Sequence, residues 1–415
     1  MPTLSTPDQI VHLHAFAGYG IELEYMIVDR ETLSVRPLAE TLLVDADGQV
    51  VNEVDHGALA WSNELVAHVV ELKTNGPAPT LVGLAERFHG DLIRINERLA
   101  EEGAQLLPTA MHPLFDPSRE TRLWPYGQTE IYQTYDRIFG CRGHGWSNLQ
   151  SMHINLPFAD DEEFRRLHAA IRVVLPLIPA LAASSPYEEG RASAWLDGRL
   201  RYYRDNQRRV PSISGPVVPE PVGGIADYHQ RILKPMYQAI APLDPDEVLR
   251  DDWLNSRGAI ARFERQTIEI RTIDLQECPR ADLAIAEVVT ALVRAFYEER
   301  LASFEAQQAT PTGVLAALMW QAAAQGSATA LGAASLQRLY GIDHSGSLQS
   351  VWLELLSRLD GLSETAARTI EMLLVRGPLA AALRTRLGEA PERAAIVETY
   401  QELARCLRDQ RLFMP

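Results

Sequence analysis

Cysteine is scarce in this chain of 415 residues, and the few cysteines lie far apart. Cys141, Cys278 and Cys406 form no CxxC spacing, which argues against a disulfide framework and against a thiolate zinc site. Such cysteine usage is typical of a reducing compartment. The N-terminal sequence MPTLSTPDQIVHLHAF also lacks the basic and apolar regions of a signal peptide. We therefore predict a cytoplasmic protein.

Excess positive charge and long apolar runs are absent as well. Asp and Glu outnumber Lys and Arg by 55 to 39, and the resulting net charge of −16 argues against binding to nucleic-acid phosphates. The longest uncharged stretch, Ala306 to Gln337, is interrupted by Gln, Ser, Thr, Gly and Pro, so it predicts buried helices and no membrane span. The sequence contains no GxxxxGK[ST], GxGxxG, GxSxG or HExxH motif.

Lysine is nearly missing from the basic residues. Of the 39 basic residues, 37 are Arg, and only Lys73 and Lys234 are Lys. The base composition of a genome is the simplest explanation of this bias. Any anion site must nevertheless be built mostly from guanidinium groups, which bind carboxylates and phosphates through two parallel hydrogen bonds.

Strand patterns occur before residue 280, and helical patterns dominate after it. Three segments with alternating side chains predict strands: Gly20 to Asp29, Gln150 to Phe158 and Phe263 to Asp274. Residues 63–73 fit either a strand or a helix by composition. From Ala281 onward nearly every segment is rich in Ala and Leu and reads as helix. This distribution predicts an α+β fold with antiparallel strands and a helical extension.

Each of the three predicted strands carries two polar functional groups at positions i and i+2, which a strand directs to the same face. The pairs are Glu22/Glu24, His153/Asn155 and Glu269/Arg271. A solvated outer face of the sheet explains any single pair. Three such pairs together favour a concave polar face that carries carboxylates, an imidazole and a guanidinium. Hard divalent cations such as Mg²⁺ bind carboxylate oxygens, and phosphate substrates complete their coordination shell.

Other charged residues extend this interpretation. Glu64 and Glu71 lie seven residues apart and would add further oxygens, although a pair on a helix surface explains them equally well. Several arginines either lie on the surface or balance the carboxylates so that an anionic substrate can bind. These arginines are Arg199, Arg201, Arg204, Arg257 and Arg262.

Six segments, most of which carry these residues, resemble motifs of the glutamate–cysteine ligase family, in its branch of bacterial carboxylate–amine ligases, and they follow the order along the chain that this family shows. GYGIELEYMIVD resembles the opening strand with two metal-binding glutamates, and ELVAHVVELKTNGP resembles the segment in which two acidic residues seven apart serve one magnesium. QSMHINLPF resembles the strand with the ligand histidine, and RQTIEIRTID resembles the Glu-x-Arg strand. PLIPALAASSPYEEG and WLDGRLRYY resemble a helix end and the substrate-arginine segment. The similarity spans about residues 18–295.

The resemblance implies a fold like that of glutamine synthetase, with an antiparallel sheet that forms a concave active-site face and with flanking helices. It implies a catalytic domain at residues 1–295 and a helical C-terminal extension, packed on it, at residues 296–415.

The resemblance also implies roles for individual residues. One Mg²⁺ would be held by Glu24, Glu64 and Glu71, and a second by Glu22, His153 and Glu269, with Mn²⁺ as an alternative ion. Arg271 would stabilise the transferred phosphoryl group, with Glu269 and His153 beside it in the catalytic centre, and Arg199 would bind the substrate carboxylate. Asn155 would contact the substrate, and Arg257 and Arg262 would contact ATP.

The implied reaction is the ATP-dependent coupling of glutamate to cysteine, a step of glutathione biosynthesis. ATP would phosphorylate the γ-carboxylate, and the amine of cysteine would attack the resulting acyl phosphate, a chemistry that depends mainly on positioning and charge neutralisation. A ligase of the same mechanism with another amino acid or amine remains open. A magnesium-dependent hydrolase and a catalytically silent nucleotide-binding protein on the same fold are further alternatives. The sequence also leaves homo-oligomerisation open.

Overall fold

A computed structural model describes residues 12–415 of the chain. The prediction about a signal peptide rests largely on residues 1–11, which lie outside the described residues. Between residues 12 and 415, no helix combines the length and the apolar character needed to span a membrane.

The described residues form ten strands and eighteen α-helices, numbered here in chain order. The strands are β1 Gly20–Asp29, β2 Glu53–Asp55, β3 Leu59–Asn63, β4 Val69–Thr74, β5 Ala104–Leu107, β6 Ser151–Pro157, β7 Tyr187–Glu188, β8 Arg191–Ala192, β9 Ala259–Arg262 and β10 Thr267–Asp274. The first eleven helices are α1 Ala39–Leu42, α2 Leu84–Ala100, α3 Pro117–Glu120, α4 Thr129–Phe139, α5 His144–Ser147, α6 Asp161–Val174, α7 Ile178–Ala182, α8 Gly198–Asp205, α9 Ile225–Tyr228, α10 Lys234–Ile240 and α11 Pro279–Tyr297. The remaining helices are α12 Phe304–Ala309, α13 Thr312–Gln325, α14 Ala334–Tyr340, α15 Leu348–Leu356, α16 Glu364–Arg376, α17 Leu379–Leu387 and α18 Arg393–Asp409.

The main sheet is antiparallel, with the strand order β2-β3-β4-β1-β6-β10-β9 and with β5 also paired to β1. The predicted α+β fold with an antiparallel sheet is therefore confirmed. The three strands expected from the sequence are β1, β6 and β10. The last of them begins at Thr267 and not at Phe263, because residues 263–266 form the turn that joins it to β9. The ambiguous segment 63–73 contains the end of β3 and most of β4.

The strand β1 is buried along almost its whole length because both of its faces are covered. Ile21, Leu23, Tyr25 and Ile27 alternate on the back face and join the main hydrophobic core. Apolar residues of α2, α6 and α11 belong to the same core and cover this face. The period of two in the sequence thus leaves Glu22 and Glu24 on the opposite face, which we call the front face.

The front face is polar at one end of β1 and apolar at the other. Met26 and Val28 continue the alternation that begins with Glu22, but they belong to a second hydrophobic cluster. In that cluster they join residues of α17 and α18 and Phe413 near the C-terminus. The last helices therefore cover the part of the front face that lies beyond the carboxylates.

The helices after α11 also contribute to the main core, through residues of α13, α14, α15 and α16. The division between residues 295 and 296 falls in the last turn of α11, which ends at Tyr297. Placing a separate catalytic domain at 1–295 and an extension at 296–415 remains our proposal.

Buried neutral histidines make the fold sensitive to acid. Burial lowers the pKa of His168 to about 3, and neither ring nitrogen of this residue has a hydrogen-bond partner. Burial likewise lowers the pKa values of His68 and His112 to about 4, although each donates through Nε2 to a backbone carbonyl. The unfolded chain binds protons at these rings near pH 6.5, where the folded chain does not, so stability falls as the pH drops.

We therefore expect His168→Leu to reduce the loss of stability in acid. Between pH 7.5 and pH 5, His168 alone should lower the free energy of unfolding of the wild type by about 2 kcal/mol. Urea unfolding of wild type and variant at both pH values measures this difference. Equal losses in the two proteins would contradict a neutral buried His168.

Candidate functional site

The register of the sheet brings the predicted polar pairs together on the front face. Glu22 lies directly opposite His153 of β6 and opposite Lys73 of β4. Glu24 lies opposite Glu71 of β4. Since directly opposed residues of an antiparallel pair project to the same side, three strands supply neighbouring side chains to one surface.

Four of these side chains, together with Glu269 of β10, form two overlapping groups that could each hold a cation. The first carboxylate group consists of Glu22, His153 and Glu269, and the second consists of Glu24, Glu71 and His153. Within each group the candidate ligand atoms lie within 4.8 Å of one another. His153 belongs to both groups, so its ring lies between the two candidate cation positions.

Hydrogen bonds hold His153 in place. Its Nδ1 lies 2.8 Å from a carboxylate oxygen of Glu22, and its Nε2 lies 2.9 Å from Oγ of Ser151. Ser151 in turn donates to Glu24 through its backbone N–H at 2.6 Å and its hydroxyl at 2.9 Å. This arrangement fixes the orientations of both strand glutamates before any ligand binds.

Crowding of the carboxylates shifts their pKa values in opposite directions. Burial, together with the charge of Glu22, raises the pKa of Glu71 to about 7. Burial would also raise the pKa of Glu22, but the hydrogen bond and the charge of His153 hold it well below the usual range. Burial opposes protonation of His153, yet Glu22 and Glu24 raise its pKa. A cluster of this kind requires positive charge to remain ionised.

Glu64 does not belong to either group, although the resemblance implied a cation shared by Glu24, Glu64 and Glu71. It follows the end of β3 in a loop and not on a strand. Burial and the charges of Glu24 and Glu71 raise its pKa well above the usual range, which places Glu64 in the same electrostatic environment. Its predicted role as a ligand stays a prediction.

Two of the predicted arginines lie at the first carboxylate group, one on each side of Glu269. Arg262 of β9 donates through Nη1 to Oε2 of Glu269 at 3.0 Å, and Nη1 of Arg271 lies 3.3 Å from Oε1. The side chain of Glu269 is only 2% exposed. A β-bulge relative to β6 follows Ile270, so Arg271 lies where the strand departs from regular pairing.

Arg199 and Arg257, for which the resemblance implied substrate and ATP contacts, are engaged by carboxylates of the protein. Arg199 is buried, and its Nε donates at 2.6 Å to Asp274, the last residue of β10. Arg257 is also buried and forms a two-point contact with Glu220, at 2.6 and 2.8 Å. Both guanidinium groups are therefore paired with carboxylates of the chain itself, whereas the resemblance implied that Arg199 binds the substrate and that Arg257 binds ATP.

Asn155 lies at the open end of the front face. Its amide donates to Glu22 at 3.1 Å, and its carbonyl oxygen accepts from the hydroxyl of Thr267 at 3.2 Å. The start of β1 passes close by, because a Cβ on Gly20 would lie only 2.9 Å from the Cβ of Asn155. Glycine at this position therefore permits the close pairing of β1 with β6.

A cavity of about 670 Å³ opens beside Asn155 and Glu22. The N-terminal end of β1, the C-terminal end of β4 and the β9–β10 turn line it, and we call it the site cavity. Its cationic side chains are Lys73 and Arg265, and neither was predicted as a site residue. Lys73 could have been found, because it follows Glu71 by two residues and shares its face once the segment is read as a strand.

Tyrosines of α4 are a second feature that the sequence analysis missed. The hydroxyl of Tyr132 accepts from the side chain of Asn63 at 2.9 Å and donates to Gln128 at 2.8 Å. Burial and the charge of Glu64 raise its pKa above the usual range. Burial raises the pKa of Tyr135, one turn further on, and the charge of Arg271 opposes this rise. Tyr132 and Tyr135 lie three residues apart and so share one face of α4, a helical spacing that the sequence itself contains.

The donor atoms of the front face fit divalent cations. Carboxylate oxygens suit hard ions such as Mg²⁺ and Mn²⁺, and a single imidazole nitrogen is compatible with such a set. A cation would also neutralise carboxylates whose pKa values are raised by burial and mutual repulsion. The residues that would hold it are Glu22, Glu24, Glu71, His153 and Glu269.

Comparison with known protein families matches residues 19–345 to a family described as glutamate–cysteine ligase family 2. A protein of Archaeoglobus fulgidus, described as uncharacterized, is 37% identical over 280 residues, which cover 68% of this chain and 75% of that protein. A protein of Streptomyces avermitilis, provisionally named a glutamate–cysteine ligase 2-1, is 26% identical over 315 residues, 74% of this chain and 77% of its own length.

Two solved structures share the fold. The bifunctional glutathione synthetase of Pasteurella multocida has a TM-score of 0.59 at 14% identity, and the match covers 94% of this chain and 52% of that one. The glutamate–cysteine ligase of Francisella tularensis, solved in complex with AMP, has a TM-score of 0.55 at 13% identity, with coverages of 94% and 88%. At these identities the likeness concerns the fold alone.

Proposed function

Because the chain belongs to glutamate–cysteine ligase family 2, we propose that it is an ATP-dependent ligase that couples the γ-carboxylate of glutamate to the amine of cysteine. Membership of the family supports an ATP-dependent carboxylate–amine ligase in general. The identity of the two substrates is the proposed part. In this proposal Mg²⁺ is the metal, and Mn²⁺ is an alternative.

One observation carries the proposal: carboxylates, an imidazole and two guanidinium groups converge beside a cavity large enough for a nucleotide. Phosphoryl transfer needs cations and arginines that neutralise the charge on the phosphate oxygens, and it needs no nucleophile from the protein. Glu22, Glu24, Glu71, His153 and Glu269 would hold the cations, which supply charge neutralisation at the transferred phosphate. Arg262 and Arg271, both paired with Glu269, would supply the positive charge that the chain itself contributes near the phosphate oxygens.

The chain itself would carry out the positioning. Arg271, held by Glu269, would contact the phosphoryl group as it moves from ATP to the substrate carboxylate. Asn155 lies at the mouth of the site cavity and would contact the ligand there. The amine of cysteine would then attack the acyl phosphate, so the amide bond forms as phosphate leaves. Tyr132 of α4 contacts Asn63 at the end of β3, so α4 would shield this side of the front face from water and limit hydrolysis of that intermediate.

The release of ADP from Mg-ATP tests this function. We expect release to require both glutamate and cysteine, and we expect a γ-glutamyl amide of the matching mass to accumulate in equal amount. Release with a different amino acid or amine from a panel would retain the mechanism and replace the substrate. Binding of Mg-ATP without ADP release in any combination would instead favour a silent nucleotide-binding protein.

A further inference from the structure

Lys73 connects the second carboxylate group to the site cavity. Its ammonium lies 3.3 Å from a carboxylate oxygen of Glu71 and 2.7 Å from one of Glu53 on the edge strand β2. The side chain is 19% exposed and lines the cavity together with Glu22 and Arg265. The same ammonium therefore contacts a candidate cation ligand on one side and a ligand-sized space on the other.

The two carboxylate partners of Lys73 differ in their solvent exposure and in their other contacts. Glu71 is buried, accepts from the hydroxyl of Ser62 at 2.6 Å and belongs to the second carboxylate group. Glu53 is half exposed, and it is absent from both groups. A divalent cation bound at Glu71 would repel the ammonium, whereas Glu53 would keep it at the cavity wall. Lysine provides three rotatable donors, so it can exchange one acceptor for another without moving its backbone.

We propose that Lys73 binds the polyphosphate of the nucleotide in the site cavity and opposes binding of the cation when no nucleotide is present. This inference rests on the proposed function, because it takes the ligand of the cavity to be a nucleotide with its cation. The ammonium would be attracted by the phosphates and repelled by the cation, so its charge couples the two ligands. The cation and the nucleotide would then enter most favourably together, as one complex.

The charge of Lys73 predicts opposite effects on two binding equilibria, and Lys73→Met tests both. Titration with Mn²⁺ alone, followed by electron paramagnetic resonance, should show affinity that is tighter by about threefold or more, because a repulsive charge is removed. Calorimetric titration with the Mn²⁺ complex of adenylyl imidodiphosphate should show affinity weakened by about tenfold or more, because a charged hydrogen bond to phosphate is lost. If Lys73 had a purely structural role, its replacement would weaken the affinity for Mn²⁺ alone and the affinity for the nucleotide complex alike.

The chain offers matched controls, since it contains only two lysines. Lys234, the exposed first residue of α10, lies outside the site cavity, so Lys234→Met should bind both probes as the wild type does. Lys73→Arg keeps the charge and should retain affinity for the nucleotide complex within about threefold. Thermal unfolding of each variant checks that the fold is intact.

Each outcome decides between the explanations. Unchanged affinities in Lys73→Met, or losses of both ligands in Lys73→Met and Lys73→Arg alike, would overturn the role of Lys73 while leaving the ligase proposal in place. Failure of the wild type to bind the Mn²⁺–nucleotide complex would overturn the proposed function and this inference with it. The coupling is supported if Lys73→Met binds Mn²⁺ alone more tightly than the wild type and binds the Mn²⁺–nucleotide complex more weakly.

Discussion

Replacement of Glu269 by Gln is expected to reduce kcat by a factor of about 1000 or more while the protein remains folded. Glu269 contacts Arg262 at 3.0 Å, Arg271 at 3.3 Å and His153 at 3.7 Å, so one carboxylate organises both arginines and belongs to the first carboxylate group. Gln preserves the shape and one acceptor but removes the charge. The variant would therefore lose the cation and would remove a carboxylate partner from both arginines, although Arg262 keeps its pairing with Asp252.

The loss of charge at Glu269 also affects stability, and a matched control separates this from catalysis. We expect the free energy of unfolding to fall by about 1–3 kcal/mol, the usual range for a charged hydrogen bond. Glu277 is equally buried and is paired with Arg376, but it accepts from the backbone of Phe413 near the C-terminus and belongs to neither carboxylate group. Glu277→Gln should show a similar loss of stability with kcat near that of the wild type.

Measurement of kcat, of bound Mn²⁺ and of urea unfolding on both variants completes the test. Turnover by Glu269→Gln at the wild-type rate would refute the assignment of Glu269 to the first carboxylate group. Equal losses of kcat in the two variants would mean that instability, and not the site, limits activity. The contrast between two buried glutamates, each paired with arginine, is therefore more informative than either variant alone.

The sequence was sufficient to predict the strands that carry the site, because the alternation within a strand is local. Glu22 and Glu24, and likewise Glu269 and Arg271, share a face as a period of two requires. The predicted antiparallel sheet and the family resemblance are also confirmed. Local patterns failed where a segment was short: β9 has four residues, and β4 could not be distinguished from a helix by composition.

Contacts between distant segments could not be predicted from patterns. Arg199 and Asp274 are 75 positions apart, and no local rule indicates that they form a buried ion pair. Register also decides which carboxylates meet, so residue patterns alone did not indicate the pairing of Glu24 with Glu71, which only the family resemblance implied. Lys73 was missed because its segment was not assigned to a strand, although its partners Glu53 and Glu22, which come from other strands, required the sheet.

Replacement of Arg271 by Lys should lower kcat by about 100-fold, although the charge is kept. The Nε–H of Arg271 is buried and has no hydrogen-bond partner among the described residues, whereas Nη1 lies 3.3 Å from Glu269. The guanidinium plane therefore retains a donor that a phosphoryl oxygen could accept from. Lys carries one compact ammonium and cannot contact Glu269 and a phosphoryl group in the same fixed geometry.

The contact of Arg271 would form mainly in the transition state, so the defect should lie in kcat and not in binding. Steady-state kinetics should show the loss in kcat, while the dissociation constant of the Mn²⁺–nucleotide complex changes by less than about tenfold. Arg376→Lys provides the control, because Arg376 is another buried arginine paired with a glutamate, and that glutamate belongs to neither carboxylate group. If kcat survived unchanged in Arg271→Lys, the phosphoryl contact would have to be assigned to another residue, and Arg262, on the other side of Glu269, would be the next to test.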